Sequence, residues 1–293
     1  MKQIDPVDRI AEATWLDGVA GAVRDATTKL LRPGWFKDAL HGVWLGHPVH
    51  PVLAQFAVGC FTGAALLDVT GDRDGAASRL IRFGVLGSLP AAVAGLADYA
   101  EGHEEQQRVG VVHATANTMA LAGYLVSLRL RATGRHGRGV LTGLMAYSLA
   151  AAGAALGGDL AFRWASGPNH AAEVPHAGPE DWTDLGAVGD FTDGKPVRVM
   201  AGLIPVLVLA GDGGFAVLHD RCSHMAGPLH QGEIVERDGD RCVVCPWHGS
   251  VFRLADGAIV RGPATAPQPV LDSRVENGRL QARVRPIPGV PAS

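Results

Sequence analysis

Residues 222–250 of this chain read CSHMAGPLHQGEIVERDGDRCVVCPWHGS and decide the architecture of its C-terminal third. They contain two short motifs, Cys222-x-His224 and Cys245-x-x-His248, and each motif follows a run of strand-forming residues. Two cysteines and two histidines divided between two loops are typical of a metal centre. Each loop can supply one sulfur and one nitrogen ligand, so we expect the two loops to clamp the metal between them.

Two kinds of metal centre use two cysteines and two histidines. Zinc binds such a set in a tetrahedral structural site, whereas a [2Fe-2S] cluster of mixed ligation has two thiolates on one iron and two imidazoles on the other. The order of the two motifs, Pro246 and the proline-containing loop at 262–269 favour the iron–sulfur cluster. Ser250 follows the second motif, where its hydroxyl is placed to donate to a cluster sulfur.

The stretch from about residue 182 to about residue 286 resembles a Rieske ferredoxin domain. The resemblance implies an all-β, ISP-like fold and carries over all four ligand positions, Cys222, His224, Cys245 and His248. It therefore implies a [2Fe-2S] cofactor and the transfer of single electrons, at a potential that the imidazole ligands raise. Cys242 lies on a predicted strand, and we expect it to pack in the core rather than to bind iron.

The resemblance departs from the respiratory cytochrome bc type in the residues around the cluster. That type has a disulfide between its cluster loops, and the corresponding positions in this chain are Gly227 and Trp247. It also has a tyrosine donor where this chain has Phe252. The cluster is therefore expected to receive fewer hydrogen bonds and to have a lower potential, as in ferredoxins and oxygenases.

Short β-rich runs separated by turns fill the chain after about residue 180 and predict a small all-β domain. Asp-Gly and Asn-Gly pairs that begin at residues 238, 256 and 277 mark hairpin turns. The predicted strands cover residues 196–201, 205–210, 215–219, 241–244, 251–254, 258–260, 269–271 and 279–284. Residues 161–180 contain three prolines and few large apolar residues, so we interpret them as a linker.

Four apolar runs in the first half of the chain contain no Asp, Glu, Lys or Arg, and they cover residues 49–67, 83–97, 109–128 and 139–158. About 20 apolar residues cross a bilayer, and these runs have no polar stripe of the kind that a soluble bundle turns to water. Glycine pairs such as Gly59/Gly63 and Gly153/Gly157 allow membrane helices to approach closely. The sequence therefore predicts an N-terminal all-α four-helix transmembrane bundle.

The membrane half resembles the uncharacterised DUF2231 family of bacterial four-helix membrane proteins, above all in the motif LGHPVHP at residues 45–51. The resemblance implies a multi-pass location in the cell membrane and assigns no activity. Residues 7–31 carry apolar residues at helical spacing among charged ones, which predicts an amphipathic helix that lies on membrane lipid. We therefore predict an amphipathic segment at 1–38, a DUF2231-like domain at 39–160, a linker at 161–180 and a Rieske domain at 181–288.

Histidines collect at one end of the predicted bundle. His50 and His113 lie near the starts of the first and third spans, which an up-and-down bundle brings to one side of the membrane at comparable depth. Paired imidazoles on neighbouring helices can bind a b-type haem, and the same pair can line a quinol site. The alternative is that these histidines meet water or cap the helix starts.

The composition and the length of the chain narrow its function. A net charge of -3 and a pI near 6.4 offer no basic surface, so we expect no nucleic-acid partner. The first hypothesis is an electron carrier that exchanges electrons with a redox partner protein or a quinol, and the alternative is a redox sensor in which the state of the cluster is the signal. A complete oxygenase needs a mononuclear iron domain after the Rieske module, and only about five residues follow residue 288.

The side of the membrane that the Rieske domain occupies depends on two opposing arguments. Four spans place both chain ends on the side of the paired histidines. Arginines in the connectors of the opposite side favour an external Rieske domain by the positive-inside rule, although Lys29, Arg32, Lys37, Arg108 and Arg163 nearly balance them. Because no twin-arginine signal for the export of a folded cluster protein is visible, we expect a cytoplasmic Rieske domain.

Overall fold

The computed structural model describes residues 6–71, 75–211 and 213–285, so residues 1–5 and 286–288 of the predicted segments lie outside the described residues. The chain divides into two compact units. The first comprises the residues up to Phe36 together with Pro48–Ser166, and the second comprises Lys37–His47 together with the residues from Gly167 onward. The predicted fold class, a helical membrane bundle followed by an all-β domain, is confirmed.

Four long helices form the bundle of the first unit. They are α4 (Val49–Thr70), α5 (Ala76–Ala100), α6 (Glu104–Ala132) and α7 (His136–Gly158), after the shorter α1 (Pro6–Ala11), α2 (Asp17–Leu30) and α3 (Trp35–His41). A π-helical turn at Asp159–Arg163 extends α7. All four long helices have the length and the apolar composition of a membrane span. Each of them contains one of the four predicted spans.

The bundle has small residues inside and large apolar residues outside. Ala77 and Ala94 are fully buried, whereas Leu66, Val69 and Leu86 are between 62% and 73% exposed. Only 17% to 28% of the most apolar stretch of each helix is buried inside the protein. A soluble protein rarely exposes apolar surface on this scale, whereas close-packed small residues are what holds helices together in lipid. The burial pattern therefore fits a lipid environment.

The predicted amphipathic helix at 7–31 is two helices. A short 3-10 turn at Thr14–Leu16 separates α1 from α2, and α2 ends at Leu30, one residue before the predicted end. The guanidinium of Arg108 on α6 fixes this break, because it donates to the Ala11 carbonyl at 2.8 Å and to the Asp17 carboxylate at 2.6 Å. The hydroxyl of Tyr99 donates to the Ala20 carbonyl at 2.9 Å and ties α2 to α5.

The second unit is a three-sheet β domain. The described residues form β1 (Thr183–Ala187), β2 (Val197–Ala201), β3 (Ile204–Gly211), β4 (Gly214–His219), β5 (Glu233–Arg237), β6 (Asp240–Val244), β7 (Val251–Arg253), β8 (Ile259–Arg261), β9 (Leu271–Glu276) and β10 (Arg279–Val284). They pair antiparallel in the orders β1-β10-β9, β2-β3-β4 and β5-β6-β7-β8. Seven predicted strands lie on observed ones, and the run predicted at 269–271 is the start of β9.

Sequence patterns missed β1 and β5. The register of β1 shifts next to Gly186, whose φ of 137° interrupts the strand pattern, and β5 is an exposed strand with charged residues at both ends. The stretch interpreted as a linker also contributes to the domain. A short helix, α8 (Val174–Ala177), lies in it, and Ala171 and Val174 are buried in a core formed with β1–β4, β9 and β10.

The segment Lys37–His47 packs on the β domain, although the sequence places it before the first membrane span. The Gly262 amide donates to the Asp38 carboxylate at 3.2 Å, and Arg261 lies 3.7 Å from the same carboxylate. A side chain at position 262 would clash with Val43, since a Cβ there would lie 2.7 Å from its methyl group. The contact therefore attaches this segment at the start of the loop 262–269.

Candidate metal centre

The two ligand loops share one backbone conformation. In the loop after β4, the Cys222 amide donates to the Gly227 carbonyl at 2.9 Å and the Ala226 amide donates to the Cys222 carbonyl at 2.8 Å. In the loop between β6 and β7, the Cys245 amide donates to the Ser250 carbonyl at 2.8 Å and the Gly249 amide donates to the Cys245 carbonyl at 3.1 Å. These two hydrogen bonds span the same numbers of residues as those around Cys222. Each loop therefore folds around its cysteine and turns the following histidine towards the other loop.

A third loop, residues 262–269, holds the first two in place. The Gln268 side chain is buried, and its Oε1 accepts from the Ser223 amide at 2.9 Å while its Nε2 donates to the His219 and Arg221 carbonyls at 2.7 and 2.8 Å. The Ala264 amide donates to Ser250 Oγ at 3.0 Å. Ser250 Oγ acts as an acceptor in this bond, so its hydroxyl hydrogen is not used by it.

The two cysteine sulfurs lie together in the core, where Cys222 and Cys245 are 1% and 3% exposed. The Cys222 thiol donates to the Cys245 sulfur, which raises the pKa of Cys222, and burial raises it further. The same hydrogen bond, with the backbone amides of Trp247 and His248, lowers the pKa of Cys245. Of the two sulfurs, Cys245 is therefore the one whose negative charge the surroundings stabilise, and a thiolate is the form of cysteine that binds a metal.

The two histidines lie side by side and are more exposed than the cysteines. The ring centroids of His224 and His248 are 5.0 Å apart, with their planes at 89°. An imidazole nitrogen binds a metal at about 2 Å and lies roughly 1 Å from its ring centroid, so two rings at a tetrahedral angle on one ion have centroids about 5 Å apart. The rings of His224 and His248 have this separation.

The two cysteine side chains contact each other, and so do the two histidine rings. Within the part of the chain that the structure describes, no group of three or more His, Cys, Asp and Glu surrounds a single ion. A zinc ion would draw all four ligands to one point, whereas a cluster with two irons keeps the thiolates and the imidazoles apart.

The structure shows what surrounds the other positions near the centre that the sequence analysis singled out. Gly227 and Trp247 are neighbours, and a Cβ on Gly227 would lie 2.8 Å from Cys245 Sγ and 3.1 Å from the Trp247 ring. Phe252 is buried in the core that contains both cysteines. Cys242 Sγ faces the Asp240 carbonyl at 3.6 Å, and burial raises the pKa of its thiol. Its position on β6 fits the packing role predicted for it.

His50 and His113 are far apart in the chain, but the structure brings their rings close together. Their ring centroids are 6.4 Å apart within the bundle of the first unit. Sequence reasoning missed Gln268 and the buried carboxylate of Asp220, which accepts from the amide and the ring of His230 at 2.8 and 2.9 Å. Both residues bind the backbone or side chains of other loops, which local sequence patterns do not reveal. The only sequence signal for either residue is the position of Gln268 between two prolines, which indicates an ordered loop.

The loops and the β domain, in one chain with four membrane-length helices, define the class: a membrane protein with a Rieske-type electron-transfer domain. Family models describe both parts, since residues 181–277 match the Rieske [2Fe-2S] domain and residues 46–168 match a predicted membrane protein family, DUF2231. The chain is 35% identical over 105 residues to the anthranilate 1,2-dioxygenase ferredoxin subunit of Burkholderia cepacia, which covers 36% of this chain and 93% of that protein. The chain therefore belongs to the Rieske [2Fe-2S] family.

Other similar proteins match the same domain. A Rieske domain-containing protein of Homo sapiens is 42% identical over 52 residues, which cover 18% of this chain and 33% of that protein. The structure of Sphingomonas yanoikuyae B1 ferredoxin is 28% identical and covers 36% of this chain and 100% of that one, with a TM-score of 0.31. The membrane half of the chain is matched by the DUF2231 family model.

Proposed function

We propose that the protein is a membrane-anchored, ferredoxin-like Rieske electron carrier whose [2Fe-2S] cluster is held by Cys222 and Cys245 on one iron and by His224 and His248 on the other. The observation that carries this proposal is the division of the site into a buried pair of sulfurs and a more exposed pair of imidazoles 5.0 Å apart. When bound, such a cluster accepts and releases one electron at a time.

The residues of the loops set the potential of this centre. The amides of Trp247 and His248 hydrogen-bond to the Cys245 sulfur, and Ser250 keeps a hydroxyl hydrogen to donate. Hydrogen bonds to cluster and ligand sulfurs stabilise the reduced state. Phe252 contributes no hydroxyl, and Gly227 and Trp247 form no disulfide, so we infer a lower potential than in the respiratory type.

The redox partners are inferred from the relatives and from the location. The matched Burkholderia protein is a ferredoxin subunit of a dioxygenase, and we infer that this carrier also delivers electrons to a partner protein. A membrane quinol is the donor that its location favours. The outward-facing apolar side chains of the bundle, such as Leu66 and Leu86, contact lipid.

We place the Rieske domain on the cytoplasmic side of the cell membrane. Lys29, Arg32 and Lys37 precede the first span and support this orientation, against the arginines in the connectors of the opposite side. Fusing green fluorescent protein or alkaline phosphatase to the C-terminus tests the assignment, because the first is fluorescent only in the cytoplasm and the second is active only outside it. An active phosphatase fusion with a dark fluorescent fusion would reverse the orientation.

The cluster is tested on the full-length protein purified in detergent. We expect about two iron and two sulfide per chain and, after reduction, the EPR signal of a mixed-ligand cluster. His224→Cys and His248→Ala remove that signal, whereas Cys242→Ser keeps it. Stoichiometric zinc without iron, or loss of the signal in Cys242→Ser, would contradict the ligand set.

A further inference from the structure

The bundle is built from two hairpins that repeat each other. Residues 63 positions apart on α4 and α6 face each other along its axis, as the pairs His50/His113, Phe61/Tyr124 and Asp68/Arg131 show. The rings of Phe61 and Tyr124 stack at 4.1 Å, and the Arg131 guanidinium donates to the Asp68 carboxylate at 2.7 and 2.5 Å. The His50/His113 pair is therefore one of three contacts on a common axis.

Both histidines are fixed in the same way by the partner helix of their own hairpin. His50 Nδ1 donates to the Ala91 carbonyl on α5 at 2.8 Å, and His113 Nδ1 donates to the Gly153 carbonyl on α7 at 2.7 Å. A carbonyl oxygen can only accept a hydrogen bond, so each Nδ1 carries the hydrogen. Each Nε2 therefore has a lone pair for a metal, the tautomer that such bonds impose on metal-binding histidines.

Two glycines make room for these rings. A Cβ at Gly95 would lie 2.8 Å from His50 Nδ1, and a Cβ at Gly157 would lie 3.1 Å from His113 Cε1. Gly95 and Gly157 each follow the carbonyl that binds the ring, Ala91 or Gly153, by one helical turn. The repeat therefore preserves a complete histidine cradle, consisting of the ring, the carbonyl and the glycine.

The side chain of Asn117 lies near this pair but does not occupy the lone pair of His113. Its Nδ2 is 3.2 Å from Nε2 and 3.4 Å from Nδ1 of His113, and 3.0 Å from the carbonyl of the same residue. A donor in line with the lone pair of Nε2 would be much farther from Nδ1. Asn117 therefore lies over the ring face and donates to the carbonyl.

The separation of the rings fits two ligands on opposite sides of one metal. A nitrogen–metal distance of about 2 Å and a centroid offset of roughly 1 Å give centroids about 6 Å apart when two imidazoles bind in trans. His50 and His113 are 6.4 Å apart with their planes at 79°, whereas the tetrahedral pair of the Rieske loops is 5.0 Å apart. The separation of the two axial histidine rings is therefore close to that of two imidazoles in trans on one ion.

We propose that His50 and His113 are the two axial ligands of a b-type haem in the membrane bundle. Among the described residues, no third His, Cys, Asp or Glu joins them in a metal-binding group. An octahedral ion with two protein ligands in trans needs four equatorial ligands from elsewhere, and a porphyrin supplies four nitrogens. Histidine is the usual axial ligand of haem.

The experiment measures haem in the full-length protein purified from haem-replete cells. We expect about one haem per chain by the pyridine haemochrome assay and a six-coordinate, low-spin spectrum after dithionite reduction. His50→Ala and His113→Ala each lower the haem content roughly tenfold or more. Gly157→Val, which crowds the His113 ring without removing a ligand, also lowers it.

Matched controls separate this site from unspecific binding. His136→Ala changes an exposed histidine at the start of α7 and keeps the haem. Titrating haem-free wild type and the double variant His50→Ala/His113→Ala with hemin shows one saturable site in the wild type alone. Equal titrations of the two proteins would overturn the proposal, as would a stoichiometric non-haem metal that the double variant loses. The Rieske EPR signal reports separately on the β domain.

Discussion

Replacing Gln268 by alanine tests whether the third loop holds the ligand loops of the cluster. Gln268 is 1% exposed and makes three hydrogen bonds with the backbone that precedes and contains the first loop. The substitution removes all three and leaves a cavity behind. It touches none of the four proposed ligands directly, so its effect reports on the support of the loop.

The expected cost follows from the groups that lose their partners. The Ser223 amide loses the acceptor that Gln268 provides, and leaving a buried donor unsatisfied costs about 1–3 kcal/mol. The Arg221 carbonyl keeps a contact with His219 Nδ1 at 3.1 Å, so its loss is smaller. With the cavity included, we expect a loss of roughly 2–4 kcal/mol in the stability of the β domain.

The assay follows the visible absorbance of the cluster during heating of the full-length protein at a fixed rate. A loss of this size corresponds to roughly 10–20 °C in a domain of this length. Gln231→Ala is the matched control, because Gln231 is exposed in the turn Leu229–Gln231 and close to the same loop. A Gln268→Ala protein that bleaches within about 2 °C of the control would refute the supporting role of the third loop.

Three further predictions concern the same domain. His248→Ala abolishes the EPR signal of the cluster while Cys242→Ser preserves it, as measured on the reduced proteins. Phe252→Tyr raises the reduction potential in a redox titration, because the added hydroxyl can donate to sulfur; an unchanged or lower potential would count against the inferred role of this position. Burial lowers the pKa of His219 despite the nearby Glu173, so the unfolded chain takes up a proton that the folded domain excludes, and stability falls as the pH drops below about 6.5; His219→Gln should flatten this dependence in thermal unfolding at several pH values.

Local sequence patterns predicted those parts of the structure whose cause is local. The four membrane helices were predicted from runs of uncharged residues, since the length of an apolar run is enough to identify a candidate span. The candidate metal centre was predicted from the spacing of Cys222, His224, Cys245 and His248, because each proposed ligand pair lies within one tight loop. Strands bounded by Asp-Gly and Asn-Gly turns were found for the same reason.

Contacts between distant segments could not be predicted in this way. The side chain of Gln268 recognises backbone groups 45 to 49 residues earlier, and backbone atoms have no sequence signature. The segment Lys37–His47 joins the β domain through Asp38 and Val43, a pairing across more than 200 residues. The strand β5 was missed because its exposed, charged ends weaken the alternation that marks strands.

The repeat in the bundle explains which axial residues are alike and which differ. In a symmetric dimer of hairpins, a residue on the axis would meet its own copy, and an Asp68 pair would bury two like charges together. Two hairpins in one chain avoid this, because Asp68 meets Arg131, with both side chains at most 4% exposed. A complementary pair is thus favoured where the two hairpins meet at Asp68 and Arg131. The proposed haem ligation instead uses one histidine from each hairpin, and His50 and His113 are the identical pair among the three axial pairs named above.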